Sequence, residues 1–247
     1  MKPIPDGLVC LTFDDGVKSQ LDYVAPILED AGFCATFYIS EGLRFLEDKS
    51  RYMTWEEVAD LDRRGFEIGN LTRAHTSVTT QTDDELLDDI KHIDDLCSEF
   101  GIAKPTTFCY PGYSNGPEAV EVIRRHGFEF ARRGTEPEFP YDREGGRGPA
   151  YDPAIHDPLL IPTTGAAGPH YGDDDFKWSI DQACDGKICV LTLHGVPDLD
   201  HPWVHTEQST FDRYVQYLTD NNHTVIALRD LKDYGLGRVR PDARPEE

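Results

Sequence analysis

The chain has no apolar run long enough to span a membrane, no C-x-x-C pair, no glycine-rich phosphate loop and no internal repeat or low-complexity tract. The first absence excludes a membrane-spanning helix. The second fits reduced, packed thiols, and the third leaves no glycine-rich cradle for a phosphate. Basic residues are scarce: 24 Lys and Arg stand against 46 Asp and Glu, a formal charge of −22. Such a negative field argues against nucleic acid and against anionic membrane surfaces as partners. The acidic excess is mostly Asp, and Arg outnumbers Lys. That describes a strongly hydrated surface, suited to a salty cytosol or simply to ordinary solubility. Met1 to Gly7 is polar and Pro-rich, with no leader pattern. Cys10, Cys34, Cys97, Cys109, Cys184 and Cys189 read as reduced, packed thiols. A cytoplasmic location is therefore expected.

What the chain does have is one organising stretch, Leu8 to Gly16, LVCLTFDDG. Its first half is an apolar, β-favouring run that reads as a buried strand. Asp14 and Asp15 fall where that strand ends, and Gly16 turns the backbone away. On a surface such a pair is a solvated turn, since Asp-Gly is a common turn dipeptide. At the end of a buried strand the two carboxylates repel, and one needs a cation or a proton. Both readings stand on this stretch alone.

Elsewhere, strands and helices alternate. Ser19 to Gly32 reads as helical, the main helix starting near Ala25 with Pro26 in its first turn and Gly32 as its cap. Phe33 to Ile39 is a second strand. Thr54 with Glu57, and Thr82 with Glu85, have capping-box form and open the next two helices. Phe66 to Gly69 is a third strand, Thr106 to Tyr110 a fourth and Phe128 to Ala131 a fifth, with a helix from Pro117 to Gly127 between the last two. Glu136 to Pro158 is a long loop. Leu159 to Pro162 is a weak sixth strand, Asp173 to Asp185 a helix and Lys187 to Leu193 a clear strand. A helix through Phe211, Tyr214, Val215 and Leu218 precedes Thr224 to Leu228. Such alternation with short connections implies a parallel sheet. The count and the 247-residue length favour a closed α/β barrel over an open doubly wound sheet.

Asp14 and Asp15, His75, Tyr110 and Pro111, and His194 all follow different strands at their C-terminal ends. In a parallel barrel those ends share one face, where sites are built.

These stretches resemble the polysaccharide deacetylase family, the NodB-homology or carbohydrate esterase family 4 enzymes. TFDDG (Thr12 to Gly16) matches its first motif. EIGNLTRAH (Glu67 to His75) resembles its second, N-H-[ST]-x-x-H. FCYPGY (Phe108 to Tyr113) resembles a bacterial form of the third, and LTLHG (Leu191 to Gly195) matches the last. The resemblance covers nearly the whole chain. It implies residues 1–247 as a single NodB-like domain, core about 8–235, folded as a distorted (β/α)7-8 barrel of parallel strands. It implies hydrolysis of a non-peptide C–N bond, most simply N-deacetylation of a sugar or polysaccharide, with a divalent metal such as Zn²⁺. By the same resemblance Asp14 is the general base, Asp15 and His75 are metal ligands, and His194 is the general acid. Tyr110, Pro111, Gly112 and Tyr113 would surround substrate, with the backbone N–H near Gly112 helping to hold the oxyanion. Amide hydrolysis asks for these groups: an activated water, a polarised carbonyl and a proton for the departing nitrogen.

The chain departs from the pattern in two places. Leu71 stands where the family keeps its first metal His, leaving two protein ligands where catalytic zinc usually has three. His170, His201 and His205 lie in loops within possible reach, but each reads first as a solvated surface His. Cys109 stands where many members carry an Arg beside the base, which removes a charge favouring ionised Asp14. The fourth, Asp-Trp motif has no clear counterpart; Asp175 and Trp178 are the nearest candidates, with Trp178 reading as a helix-face core residue. His92 reads as solvated. The alternatives to a deacetylase are a metal-depleted relative that binds carbohydrate, and a hydrolase of a small cyclic amide or ureide. The sequence leaves the sugar, its chain length and the oligomeric state open.

Overall fold

A computed structural model describes residues 2–140 and 146–237. Part of the expected loop from Glu136 to Pro158, residues 141–145, lies outside the described residues.

Among the described residues, eight parallel strands build the sheet: β1 (Leu8–Phe13), β2 (Thr36–Ile39), β3 (Glu67–Asn70), β4 (Thr107–Cys109), β5 (Phe130–Arg132), β6 (Gly165–Ala166), β7 (Cys189–Leu193) and β8 (Thr224–Ile226). The order is β5-β4-β3-β2-β1-β7-β6, and β8 pairs with the first half of β1, Leu8 opposite Thr224 and Cys10 opposite Ile226. The second half of β1 pairs with β2, so β1 changes neighbour along its length. The run from 158 to 167 joins the two ends of this order. On one side Ile161 N–H donates to Ala131 (2.8 Å) and Arg133 N–H to Ile161 (2.8 Å); on the other Thr164 N–H donates to Val190 (2.7 Å) and Ala167 N–H to Thr192 (2.8 Å). The weak sixth strand expected at Leu159 to Pro162 is therefore the half of this run that meets β5, while β6 itself begins at Gly165. The product is the expected α/β barrel, distorted at β8 and along this irregular strand.

Helices α1 (Ala25–Ala31), α2 (Trp55–Arg63), α3 (Asp83–Glu99), α4 (Pro117–His126), α5 (Asp173–Asp181) and α6 (Gln208–Asp220) lie between the strands. Their ends follow local chemistry. Thr54 and Thr82 form full capping boxes with Glu57 and Glu85. A π-helical turn, Gln20–Val24, precedes α1, whose second residue is Pro26 and whose cap, Gly32, sits at φ 70°.

The period-2 alternation of each strand sorts its side chains. Val9, Leu11 and Phe13 face the helix layer and share a cluster with Phe37, Ile68, Leu191 and Phe211. Leu8, Cys10, Tyr38, Leu71, Cys109, Phe130, Ile161 and Val190 form a second cluster. It draws on every side of the ring, so it is the barrel interior. Gly69 belongs to this inward column because a Cβ there would stand 2.4 Å from the Tyr38 ring. Followed at the same parity to the C-terminal ends of their strands, the inward columns end in Asp14, Leu71, Arg132 and His194. The site is the top of the barrel core.

Candidate active site

Asp14 is 3 % exposed, and its N–H donates to the Leu193 carbonyl, which ties the end of β1 to the end of β7. The carboxylate is not left alone by the loss of an arginine at position 109. Arg132, the last residue of β5 and fully buried, donates from one Nη to both oxygens of Asp14 at 2.6 Å. The same nitrogen lies 2.8 Å from the Cys109 Sγ, and the other Nη donates to Thr192 Oγ1 at 2.7 Å. The small Cys109 leaves room for a guanidinium arriving from the next strand. The expected loss of a charge beside Asp14 is therefore corrected: the charge comes from β5.

Asp15 lies next door and is held quite differently. Its backbone is left-handed, φ 75°, as is that of His75, φ 54°. Such backbone in non-glycine residues is uncommon and collects at functional sites. Three imidazoles surround the one carboxylate. His75 Nε2 is 3.5 Å from Oδ1; His201 Nδ1 and His194 Nε2 are 3.9 and 4.0 Å from Oδ2. His194 Nε2 is also 3.9 Å from Asp14 Oδ2. Yet Asp15 Oδ1 is buried with no hydrogen-bond partner. Burial, and then the Asp14 charge, push the Asp15 carboxyl up to about 8, against the pull of His201. Burial likewise lowers His75 and His194 below the ordinary imidazole value, although Asp14 opposes the shift in both.

The loop after β7 carries two residues the sequence did not single out correctly. His201 is not a solvated histidine, because its side chain is 13 % exposed and points to Asp15. Asp198 fixes that loop, accepting the N–H groups of His201 (2.8 Å), Asp200 (3.2 Å) and Gly195 (3.4 Å). Its Oδ2 lies 3.4 Å from His201 Nδ1, an ion-pair contact outside hydrogen-bond geometry, and that carboxylate raises the His201 imidazole above its ordinary value. His205 accepts the Asp198 N–H at 3.1 Å and so braces the loop from outside the site. His170 is exposed and does not line the pocket. His92, expected to be solvated, is tied to the Glu41 carboxylate at 2.6 Å.

These groups floor a cleft of about 700 Å³, walled by Leu71, Gly112, Tyr113, Glu136 and Trp203 among others. Leu71 is 1 % exposed and packs into the barrel interior. Tyr110 contributes to the wall, but its hydroxyl is committed to the Leu159 carbonyl at 2.8 Å and its ring packs on Phe108. Pro111 is buried and does not line the cleft, while Gly112 is exposed at φ 56°. Tyr113 lies under Arg132, its ring centroid 5.7 Å from the guanidinium carbon. Asp175 and Trp178 are away from the cleft, where Asp175 accepts from Arg147 at 2.7 Å and the same guanidinium stands over the Trp178 ring. Among the described residues, no three His, Cys, Asp or Glu side chains already stand close enough to cage a metal ion. The orphaned Asp15 oxygen facing His75, a hard donor beside a borderline one, nevertheless suits a divalent cation.

A parallel barrel that gathers carboxylates and imidazoles from separate strands onto its C-terminal rim belongs to the class of α/β-barrel proteins that build their sites there. Residues 2–131 match the family described as polysaccharide deacetylase, and the chain belongs to that family. Solved structures agree on the fold. Bacillus subtilis PdaA, a family 4 carbohydrate esterase, superposes with a TM-score of 0.61 at 16 % identity, over 95 % of this chain and 85 % of that one. The peptidoglycan deacetylase PdaC of Bacillus subtilis gives 0.57 at 16 % identity, covering 92 % of both chains. Bacillus anthracis BA3943, described as a CE4 family pseudoenzyme, gives 0.60 at 16 % identity over 94 % of this chain and 69 % of that one. No curated protein matches the chain. No helix among the described residues is long and apolar enough to cross a membrane.

Proposed function

We propose that this family member hydrolyses the N-acetyl group of an N-acetylated sugar or polysaccharide. The observation that carries the reading is the meeting of Asp14, Asp15, His75 and His194 on one rim, with His194 Nε2 within 4.0 Å of both carboxylates. The exposed Trp203 and the Tyr113 ring at the cleft wall supply apolar faces for a sugar. Asp14 takes the proton of the attacking water, and Arg132, itself braced on Thr192, keeps it from turning away. His194, held neutral by burial, receives a proton through its neighbour Asp14 and passes it to the amine as the C–N bond breaks. Gly112 lends its backbone N–H to the oxygen that becomes negative. Asp15 and His75 would hold a divalent cation, which when bound polarises the acetyl carbonyl and acidifies water.

The test is acetate release from N-acetylglucosamine oligomers with Zn²⁺ present. The expected result is turnover by the parent that falls about 10²- to 10⁴-fold in Asp14→Asn and in His194→Ala. Equal turnover by Asp14→Asn overturns the assignment. A second reading, a carbohydrate-binding protein without catalysis, is favoured by Leu71. A BA3943 mutant described as having restored enzymatic activity shares this fold, with a TM-score of 0.60 at 17 % identity. Oligomer binding without acetate release, with turnover gained on Leu71→His, would establish that reading.

A further inference from the structure

Asp15 and His75 leave a cation one protein ligand short, and Leu71 cannot supply it: its side chain is carbon only and lies among Tyr38 and Cys109 in the core. The shortfall is met from the other side of the carboxylate. We infer that His201, on the loop after β7, is the third protein ligand of a divalent-cation site formed with Asp15 and His75.

The three side chains stand wider apart than a loaded site would hold them, and have to draw together to form the cage. Ligands about 2.0–2.2 Å from a tetrahedral zinc stand roughly 3.3–3.6 Å from one another. His75 Nε2 meets this at 3.5 Å from Asp15 Oδ1, and His201 Nδ1, at 3.9 Å from Oδ2, is a few tenths of an ångström beyond it. The two imidazoles approach different oxygens of one carboxylate, so Asp15 faces both of the rings that would complete the site. Asp15 Oδ1 and His201 Nδ1 are both buried and lack hydrogen-bond partners. Buried polar atoms are rarely left so without a reason, and these two belong to adjacent members of the same cluster.

The loop is built to hold this position. Asp198 accepts three backbone N–H groups within it, and Thr206 N–H returns to the Gly195 carbonyl at 3.4 Å. The His201 ring rests against Trp203 at 5.4 Å between centroids. Asp198 Oδ2, 3.4 Å from His201 Nδ1, stabilises the charged ring while the cation is away. His201 would have to give up that proton to serve as a ligand, as imidazole ligands do.

This rests on the deacetylase reading's use of a metal, so the test reads binding as well as turnover. The full chain is stripped with a chelator and titrated calorimetrically with Zn²⁺, as parent, His201→Ala, His201→Gln and His170→Ala. One Zn²⁺ per parent chain is expected, with affinity at least about 100-fold weaker in both His201 variants, since a lost ligand exceeds the 10- to 100-fold effect of a lost outer partner. His170→Ala should bind as the parent does. Thermal melts confirm that each variant is folded. X-ray absorption of the Zn²⁺-loaded parent should count two imidazoles, which keeps the inference testable if a variant misfolds. Parent-like affinity in His201→Gln, or a single imidazole, overturns the inference and leaves the deacetylase reading standing. A parent that binds no Zn²⁺ yet releases acetate overturns the metal site alone. A parent that does neither overturns both.

Discussion

Glu67 and Asp15 are both buried acids, and they are treated in opposite ways. Glu67, the first residue of β3, has a complete set of donors: Thr36 Oγ1 at 2.6 Å, Thr107 Oγ1 at 2.7 Å and the Arg229 N–H at 2.9 Å. Thr36 in turn accepts the Leu228 N–H at 2.8 Å, so the cluster ties β2, β3 and β4 to the segment after β8. Asp15, at the other end of the strands, has an oxygen with no hydrogen-bond partner, a left-handed backbone and three imidazoles just outside hydrogen-bonding distance. A fold can bury a carboxylate and satisfy it. Where it buries one and leaves it wanting, the deficit marks the place meant for something else. Asp14, between these extremes, is answered by a full charge.

The contrast breaks most visibly at Asp14. Arg132→Met replaces its fully buried partner with an apolar side chain and strands the carboxylate. We expect a loss of about 3–5 kcal/mol, the usual penalty for breaking one side of a buried pair, read as a fall in the urea midpoint at constant slope. A loss below about 1 kcal/mol would mean that the rim charges are solvated and that Asp14 is no more demanding than a surface residue. Glu67→Ala comes next. It leaves two hydroxyls and one N–H inside the barrel, for a loss of about 1–3 kcal/mol by the same measurement. Should it exceed the loss in Arg132→Met, the polar cluster at the start of β3 outweighs the ion pair at the rim, and the ranking reverses.

The fold was legible where its signals are local. The capping boxes at Thr54 and Thr82, and the glycine caps at Gly32 and Gly127, fixed the starts and ends of helices within a residue or so. The run at 158 to 167 was only half legible because its pairing partners, β5 and β7, are not neighbours in sequence. Of the site, the residues in strand-end motifs could be read, and the structure brings Asp14, Asp15, His75 and His194 together. Arg132 could not be read from a motif, but a signal was present. It lies two residues past Phe130, so it shares the inward parity of a buried aromatic, at the end of a strand beside an otherwise unmatched Asp. His201 and Asp198 gave no such signal. They lie in an irregular loop, and only the backbone bonds to Asp198 decide that the His201 ring turns inward.

The smallest expected effect is also the one that separates Asp15 from Glu67 most cleanly, since it is a gain. In metal-stripped protein the folded Asp15 carboxyl titrates near 8 against 3.8 when exposed. A raised carboxyl contributes stability that is fully present below the unfolded value and is lost as pH rises through the folded one. Asp15→Asn removes that dependence. It should match the parent near pH 4 and exceed it above pH 8 by on the order of 1 kcal/mol, the scale of an unsatisfied buried group. His75 and His194 are shifted the other way, so their contribution is lost as pH falls below 6.5, in parent and variant alike. The parent is thus squeezed from both sides, and the variant less on the alkaline side, where His201 and Glu67 are still raised but Asp15 no longer titrates, a difference that urea melts across this range would resolve. Adding Zn²⁺ should reverse the order above pH 8, because only the parent keeps the carboxylate that a cation would stabilise. If the Asn variant is the less stable form at pH 8 without metal, Asp15 is already satisfied, and its likeness to Glu67 is closer than the geometry implies.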